Sequence, residues 1–206
     1  MEPVTPIPTP RTTRQDEILD RALELARQGG LASLTMRRIA ERIGFTDAAL
    51  YRHFPTKQAL LLALAERLEM ALLGEVRRIL EQPGLDARQR LEAILSHHVR
   101  VILETDGLPL LIVAEAASSG DVVVAERMAR VLRSYLGILT ALVQELPPRP
   151  GAPPPEQEAL LLVGLPAALA IQRRLLHEGG LDIAAAQRLA RTLISRLAGD
   201  GRRAEE

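Results

Sequence analysis

Apolar residues recur three and four positions apart along most of this chain, which is the spacing that places them on one face of an α-helix. Glycine, proline and helix-capping residues interrupt this spacing at points that divide the chain into separate helices. The predicted helices cover approximately residues 14–28, 35–43, 46–54, 57–80, 86–105, 108–118, 119–146, 156–178 and 182–197. The pattern therefore predicts an all-α protein of about nine helices.

The segment from Thr35 to Phe54 has the form of two short helices joined by a tight turn. Gly44 stands where the chain must adopt a left-handed conformation, which glycine does without steric cost. Thr46 can accept a hydrogen bond at a helix N-terminus, and Leu50 lies four residues before Phe54, so the two can close a small core. This arrangement predicts a helix–turn–helix, which delivers its second helix to the major groove of DNA. A simple αα-hairpin with a glycine corner produces the same pattern.

The outward face of the second helix carries side chains that can contact DNA. Arg52 can bind guanine through two hydrogen bonds, and Ala48 can touch a thymine methyl group. Asp47 can accept from a cytosine amino group, but we favour a capping role at the helix N-terminus, where negative charge is stabilised. Tyr51 and His53 are residue types that commonly position phosphates.

The same stretch closely resembles the DNA-binding segment of the TetR family of transcriptional regulators. The resemblance covers roughly residues 14 to 62, and its matching positions are Thr35, Ile39, Ala40, Gly44, Leu50, Tyr51, His53, Phe54 and Lys57. It implies a ligand-responsive regulator, most simply a repressor, that binds a palindromic DNA operator as a homodimer. Activation, or binding that requires a ligand, stays open.

The resemblance also implies a role for individual residues. The residues expected to hold phosphates are Thr35, Tyr51, His53 and Lys57. The residues expected to face base edges are Arg37, Asp47, Ala48, Ala49 and Arg52, with Thr46 at the start of the same helix.

The chain divides by composition into a tail and two predicted domains. Residues 1–12 include four prolines and predict a disordered tail, so we favour solvation over a DNA contact for the nearby Arg11 and Arg14. Residues 13–56 form the predicted helix–turn–helix domain, and residues 57–206 the predicted ligand-binding and dimerisation domain. The division of labour between these domains is what the resemblance implies.

Charge and composition restrict the possible functions. The net charge is zero, so no global field draws the chain to nucleic acid, and binding must rely on a local patch and on two subunits acting together. Residues 35–57 contain five basic and two acidic residues, a local charge of +3. The chain has no cysteine, the start lacks the blocks of a signal peptide, and the longest apolar run, 159–171, is too short to span a bilayer. We expect a cytoplasmic protein with no membrane partner.

Three polar residues on the middle helices are candidates for a ligand site. His98 falls at the centre of the apolar face of its helix, Glu115 follows an unbroken apolar run, and Tyr135 lies on an apolar stripe. If they converge, they would anchor a small, largely apolar or amphipathic effector. Each also has a simpler interpretation, as a core histidine, a surface or paired carboxylate, and a packed tyrosine respectively.

The eighth predicted helix is apolar nearly all round, and such a helix must be buried. A partner subunit would cover the side that its own subunit leaves open, as the resemblance also implies. The predicted interface residues on the last two helices are Leu162, Leu165, Leu169, Leu189 and Leu193. The alternative is a monomer in which this helix is fully internal.

The sequence predicts no enzyme, no cofactor and no metal site. We find no nucleophile elbow, no phosphate-binding glycine loop and no His-Glu-x-x-His motif. His97 and His98 are adjacent, about 100° apart on a helix, so both cannot easily bind one ion. Two alternatives to a regulator are open. One is an enzyme that uses an apolar cavity in the second predicted domain. The other is a helical small-molecule-binding or scaffold protein with a vestigial DNA-binding unit.

Overall fold

The structure is a computed structural model that describes residues 12–30, 33–176 and 180–199. Within these ranges the chain forms nine helices and no β-strand, which confirms the predicted all-α class. The helices are α1 (Thr13–Gly29), α2 (Met36–Ile43), α3 (Asp47–His53), α4 (Lys57–Glu81), α5 (Ala87–Glu104), α6 (Leu108–Ser119), α7 (Val122–Gln144), α8 (Pro155–Leu176) and α9 (Ile183–Ala198).

Two compact units divide the chain, Met1–Ala63 and Leu64–Glu206. The first unit contains α1 to α3 and the start of α4, and the second contains the rest of α4 and all later helices. Helix α4 therefore contributes residues to both units. The predicted tail lies outside the described residues except for Thr12, and Arg11 lies outside them as well.

Side-chain caps begin the short helices of the first unit. The Thr35 hydroxyl accepts a hydrogen bond from the backbone N–H of Arg38 at 3.2 Å, and this bond begins α2. Gly44 ends α2 with φ 76°, the left-handed conformation that its position predicted. The Thr46 hydroxyl then accepts from the N–H of Ala49 at 3.2 Å and begins α3. The predicted helix–turn–helix geometry is thus present in the backbone and its caps.

The core of the first unit is built from one face of each of its helices. Leu50 and Phe54 are both buried, which confirms the prediction that they close this small core. The other buried residues of α1 and α2 are Ile18, Leu19, Ala22, Leu25, Ala26, Met36, Ile39 and Ala40. Burial of α3 on one side leaves its opposite side free for solvent or DNA.

A single aliphatic cluster forms the core of the second unit. Helix α5 begins with a capping box, in which Asp86 accepts from the N–H of Gln89 and the Gln89 side chain accepts from the N–H of Asp86. Beyond α5, the cluster draws on α4, α7, α8 and α9. Its members include Leu73, Val76, Leu91, Ile94, Leu95, Val99, Leu103, Leu139, Leu142, Ala159, Leu162, Leu169, Ala186, Ala190 and Ile194.

The predicted dimer interface needs correction, because the fold turns two of its leucines inward. Leu162 and Leu169 are buried in the subunit's own core, where a partner cannot reach them. Leu165 and Leu193 are half-buried, and Leu189 is exposed. Apolar character alone does not show which side of α8 faces the core, so the sequence could not separate core leucines from interface leucines.

The alternative monomer would require helix α8 to be fully buried within the subunit. In the structure, one side of α8 is exposed. Its outer side carries a set of apolar or small residues that repeat at spacings of three and four, which we call the α8 stripe. The members of the α8 stripe are Leu161, Gly164, Ala168, Ile171 and Leu175, and all of them are exposed.

Candidate DNA-binding surface and buried polar pair

The exposed side of α3 presents four of the ten candidate DNA-contacting residues. Asp47, Ala48, Tyr51 and Arg52 are exposed, whereas Ala49 is half-buried. Ala49 therefore presents less surface to a DNA base than the sequence-based assignment requires.

Arg52 and Arg37 differ in how far their guanidinium groups are already engaged. Arg37 donates from Nε to Oε1 of Glu41 at 2.9 Å, although both side chains are largely exposed. This bond raises the pKa of Arg37, with a smaller contribution from the carboxylate of Asp47. Arg52 makes no ion pair or hydrogen bond through its side chain within the described residues. Its five N–H donors are thus available to an external acceptor.

The cap of α3 is provided by Thr46 and not by Asp47. The Thr46 hydroxyl accepts the hydrogen bond from Ala49, while Asp47 follows as the first helical residue with its carboxylate exposed. The favoured capping role of Asp47 is therefore wrong as a hydrogen bond. A favourable interaction with the N-terminal end of the helix dipole remains.

The remaining candidate phosphate-binding residues occupy three helix ends. Thr35 is exposed at the N-terminus of α2, His53 is half-buried at the end of α3, and Lys57 is half-buried at the start of α4. The Thr56 hydroxyl, just before Lys57, accepts from the N–H of Ala59 at 3.0 Å. All of them belong to the first unit, as do the candidate base-reading residues.

Another basic residue of α2 is held within the protein by a carboxylate. Glu24 of α1 accepts hydrogen bonds from Arg21 and from Arg42, each at 3.0 Å. These two bonds lower the pKa of Glu24. Arg42 therefore links α2 to α1. Because Glu24 partly neutralises the charge of Arg42, the local charge of +3 counted for residues 35–57 overstates the positive charge available to DNA.

The sequence analysis did not single out Phe45, and it favoured solvation for Arg14, which lies over the Phe45 ring. The guanidinium carbon of Arg14 lies 4.2 Å from the centre of the Phe45 ring, and the His53 ring stacks against the same ring at 6.2 Å. Phe45 stands between the glycine turn and the cap of α3, a position that could have drawn attention to it. No sequence spacing connects Arg14 to either residue.

In the second unit, two of the three candidate ligand-site residues meet in the core. Nδ1 of His98 lies 3.1 Å from the hydroxyl oxygen of Tyr135, and the two rings pack edge to face with centroids 4.9 Å apart. His98 is 9% exposed and Tyr135 1% exposed. Burial lowers the pKa of His98 to about 3, with a smaller effect from neighbouring His97, and burial raises the pKa of Tyr135. Both side chains are therefore neutral near pH 7.

The third candidate, Glu115, is not part of this buried pair. It is half-buried on α6, and its backbone carbonyl accepts from the hydroxyls of Ser118 and Ser119. The adjacent His97 has a different partner, because its Nε2 lies 2.8 Å from the backbone oxygen of Ala71 on α4. This contact joins α5 to α4 at one point, while Arg100 and Glu104 of α5 stay exposed.

We expect the buried imidazole of His98 to make the stability of the fold depend on pH. An unfolded histidine protonates near pH 6.5, while folded His98 stays neutral down to about pH 3. The unfolded state thus binds more protons in this window, so stability falls as pH falls, by about 1.4 kcal/mol per pH unit between about pH 6 and 4. Denaturant unfolding at several pH values would measure this slope.

Two variants separate this effect from the titration of other groups. His98→Asn should have a shallower pH slope than wild type by that amount, whereas Tyr135→Phe should keep the wild-type slope because His98 stays buried. Parallel pH profiles for wild type and His98→Asn would contradict the assignment.

Neither a metal cluster nor a membrane-spanning helix occurs in the described ranges. No group of three or more potential metal-binding side chains comes together there. No helix within the same ranges combines the length and the apolar character needed to cross a bilayer.

Known proteins resemble the first unit in sequence. Residues 18–64 match the family described as bacterial regulatory proteins, tetR family. The nucleoid occlusion factor SlmA of Aliivibrio fischeri is 41% identical over 75 residues. That similarity spans 35% of this chain and only 38% of SlmA, so it concerns a part of each protein.

Solved structures resemble the described chain along most of its length. A transcriptional regulator from Rhodococcus sp. Rha1 aligns over 90% of this chain and 96% of its own, with a TM-score of 0.73 and 20% identity. A regulator of the TetR/AcrR family from Thermobifida fusca aligns over 93% of this chain and 100% of its own, with a TM-score of 0.66 and 25% identity. These structures share the helical fold described above.

Proposed function

Because residues 18–64 match the tetR family of bacterial regulatory proteins, we propose that this chain is a TetR-family repressor that binds a palindromic operator as a homodimer and is released by a small, largely apolar effector. The observation that carries the DNA-reading part is the exposed side of α3. It offers Arg52, whose guanidinium is unengaged within the described residues, beside the exposed Tyr51. A short helix held by a capped turn keeps these side chains in a defined register for the major groove.

The α8 stripe supports the proposal of a homodimer. Leucine and isoleucine side chains that are more than half exposed are unfavourable in water unless another surface covers them. In the middle of the stripe, Gly164 and Ala168 are small and would let a partner helix approach closely. Two copies related by a twofold axis would bury the same stripe on both sides. The zero net charge makes a second DNA-binding unit useful, because one local patch of +3 holds DNA weakly.

The His98–Tyr135 pair supports an effector site in the second unit. It is a neutral pair of hydrogen-bonding groups within an otherwise aliphatic core, which suits an apolar molecule that needs a few polar anchors. Helix α4 has residues in both units, so a rearrangement of the second unit can reach the first through a continuous helix. Release requires that the effector prefer one of the two arrangements, since equal affinity for both shifts no population.

Selection from a random pool of DNA duplexes by the purified full chain tests the proposal. A palindromic sequence with two half-sites about one helical turn apart is the expected result. That sequence then becomes the duplex for testing apolar compounds that release the protein. If the folded protein enriches no duplex, either DNA binding requires a ligand or the chain is a helical small-molecule-binding or scaffold protein with a vestigial DNA-binding unit.

Two alanine variants should separate base reading from phosphate binding. Arg52→Ala should cost on the order of 1–3 kcal/mol of binding free energy on the selected duplex and relax the preference for the base that it reads. Lys57→Ala should weaken all duplexes similarly and lower the salt dependence by about one phosphate contact. Binding titrations on matched and single-mismatch duplexes measure both effects. An unchanged ratio between duplexes in Arg52→Ala would show that Arg52 does not read bases.

A further inference from the structure

Arg14 is held in place by an aromatic ring of the helix–turn–helix. Its guanidinium carbon lies 4.2 Å from the centre of the Phe45 ring, within the range of a cation–π interaction. The His53 ring stacks on the same phenyl ring with an interplanar angle of 25°. A hydrogen bond from Nε2 of Gln15 to the backbone oxygen of His53, at 3.4 Å, joins the start of α1 to the end of α3 as well. The start of α1 is thus attached to the recognition helix by two independent contacts.

The position of Phe45 determines where this arginine is presented. Phe45 directly precedes Thr46, the residue that caps α3, so the ring lies at the turn that leads into the recognition helix. Phe45 itself is half-buried, and α1 begins with a complete capping box at Thr12 and Gln15 that fixes its first turn. The guanidinium is thus anchored next to the surface that the proposed function assigns to DNA, although Arg14 lies 31 positions before Phe45 in the chain.

Stacking on the ring leaves the guanidinium able to bind an anion. A guanidinium that lies over an aromatic face keeps its N–H donors in its own plane, directed away from the ring. Arg14 uses Nη1 to donate to Glu17, and the remaining donors are available to a further acceptor. The ring also limits the conformations of a long side chain, which reduces the entropy lost when the group binds.

We propose that Arg14 is a DNA-contacting residue that binds a backbone phosphate beside the recognition helix, and that Phe45 is the platform that positions it. The proposal rests on the proposed function, because it requires that α3 enter the major groove. It replaces the solvated role that the sequence favoured for Arg14. The competing interpretation is that the Arg14–Phe45 contact only braces α1 against α3.

Arg21 provides a matched control on the same helix. It lies seven residues after Arg14, so the two side chains leave α1 in nearly the same direction, roughly 10 Å apart along the axis. Both pair with a glutamate three residues later, and their side chains are similarly exposed, 46% for Arg14 and 50% for Arg21. Of the two, Arg14 is the one stacked over Phe45.

The experiment compares Arg14→Gln with Arg21→Gln in the full chain, using the duplex selected by wild type and a range of salt concentrations. Arg14→Gln should lower the slope of log affinity against log salt by about 0.9, one phosphate's worth. The ratio of wild-type affinity to Arg14→Gln affinity should therefore fall about eightfold when the salt concentration rises tenfold. Arg21→Gln should keep the wild-type slope. Equal slopes for the two variants would overturn the proposal.

A second pair of variants tests the platform. Phe45→Leu keeps an apolar side chain but removes the aromatic face, and it should weaken DNA binding in the presence of Arg14. In an Arg14→Gln background the same change should have little further effect, because the group that it positions is gone. A brace without a DNA contact predicts the reverse, namely loss of unfolding free energy with no change in salt slope. Wild type that binds no duplex would remove the proposed function, whereas wild-type binding with an unaltered Arg14→Gln slope removes this inference alone.

Discussion

Replacing Ile171 with glutamate is expected to raise the dissociation constant of the homodimer about a hundredfold or more. Ile171 is 54% exposed in the α8 stripe, and in a twofold interface the substitution acts on both subunits. Loss of apolar burial costs about 1.5–3 kcal/mol per side chain, and a carboxylate placed against another apolar surface adds a desolvation cost. Since each tenfold change is 1.4 kcal/mol, two copies account for this effect. Sedimentation at several protein concentrations would measure it.

Val122→Glu is the matched control for this prediction. Val122 is also a β-branched residue, is 62% exposed, and lies outside the α8 stripe at the start of α7. This variant should remain as dimeric as wild type and bind the selected duplex equally well. The Ile171→Glu variant should bind a full palindrome about as weakly as a single half-site. Undisturbed dimers of Ile171→Glu would show that the stripe is covered in some other way.

Replacing Gly107 with alanine is expected to reduce the free energy of unfolding by about 2–5 kcal/mol. Gly107 has φ 70°, a left-handed conformation that costs an L-residue about 1–2 kcal/mol. A Cβ atom added at Gly107 would lie 2.7 Å from Cβ of Ala170 on α8, and such overpacking costs about 1–3 kcal/mol more. Two further bonds hold this corner, from Arg173 to the Asp106 carboxylate and from Arg174 to the Asp106 backbone oxygen, each at 2.7 Å. Denaturant titration would measure the loss.

Gly120→Ala separates the backbone cost from the packing cost. Gly120 has nearly the same φ, 69°, but an added Cβ would meet nothing within 4 Å. It should therefore lose only the conformational part, about 1–2 kcal/mol. Combining Gly107→Ala with Ala170→Gly should restore part of the larger loss, because it removes the atom that the new Cβ meets. Equal losses in the two single variants would contradict the close approach of this corner to α8.

Much of the helical framework was predictable because its signals are local. The spacing of apolar residues marked the helices, and Gly44 and Thr46 marked helix ends with residues whose own chemistry stops or begins a helix. The small core at Leu50 and Phe54 was predictable for the same reason, since Phe54 follows Leu50 by four residues and directly succeeds the helix that contains it. The match to the TetR family was predictable from a motif confined to a short continuous stretch.

Which apolar residues of a helix are buried and which are exposed was not predictable, because this depends on which neighbouring helix lies against each face. On α8, Leu162 and Leu169 turned inward while Leu161 and Ile171 stayed outside, although all four are equally apolar. The burial of the charged residue Glu158 was not predictable either. A glutamate in the first turn of a helix is usually solvated. Glu158 is nevertheless fully buried, and it accepts a hydrogen bond from Arg149, which lies in the segment between α7 and α8.

The sequence by itself determined the approximate helix boundaries and the helix–turn–helix, and it identified candidate side chains for DNA contact, because hydrogen bonds, caps and periodicity act between residues close in the chain. The tertiary structure alone decided which basic side chains of this unit are engaged within the protein. It tied Arg37 to Glu41 and Arg42 to Glu24, left Arg52 unengaged within the described residues, and stacked Arg14 on Phe45. It also brought His98 to Tyr135, 37 positions away in the chain. Such contacts depend on the approach of whole helices, which the packing of many apolar side chains sets and which no single motif encodes.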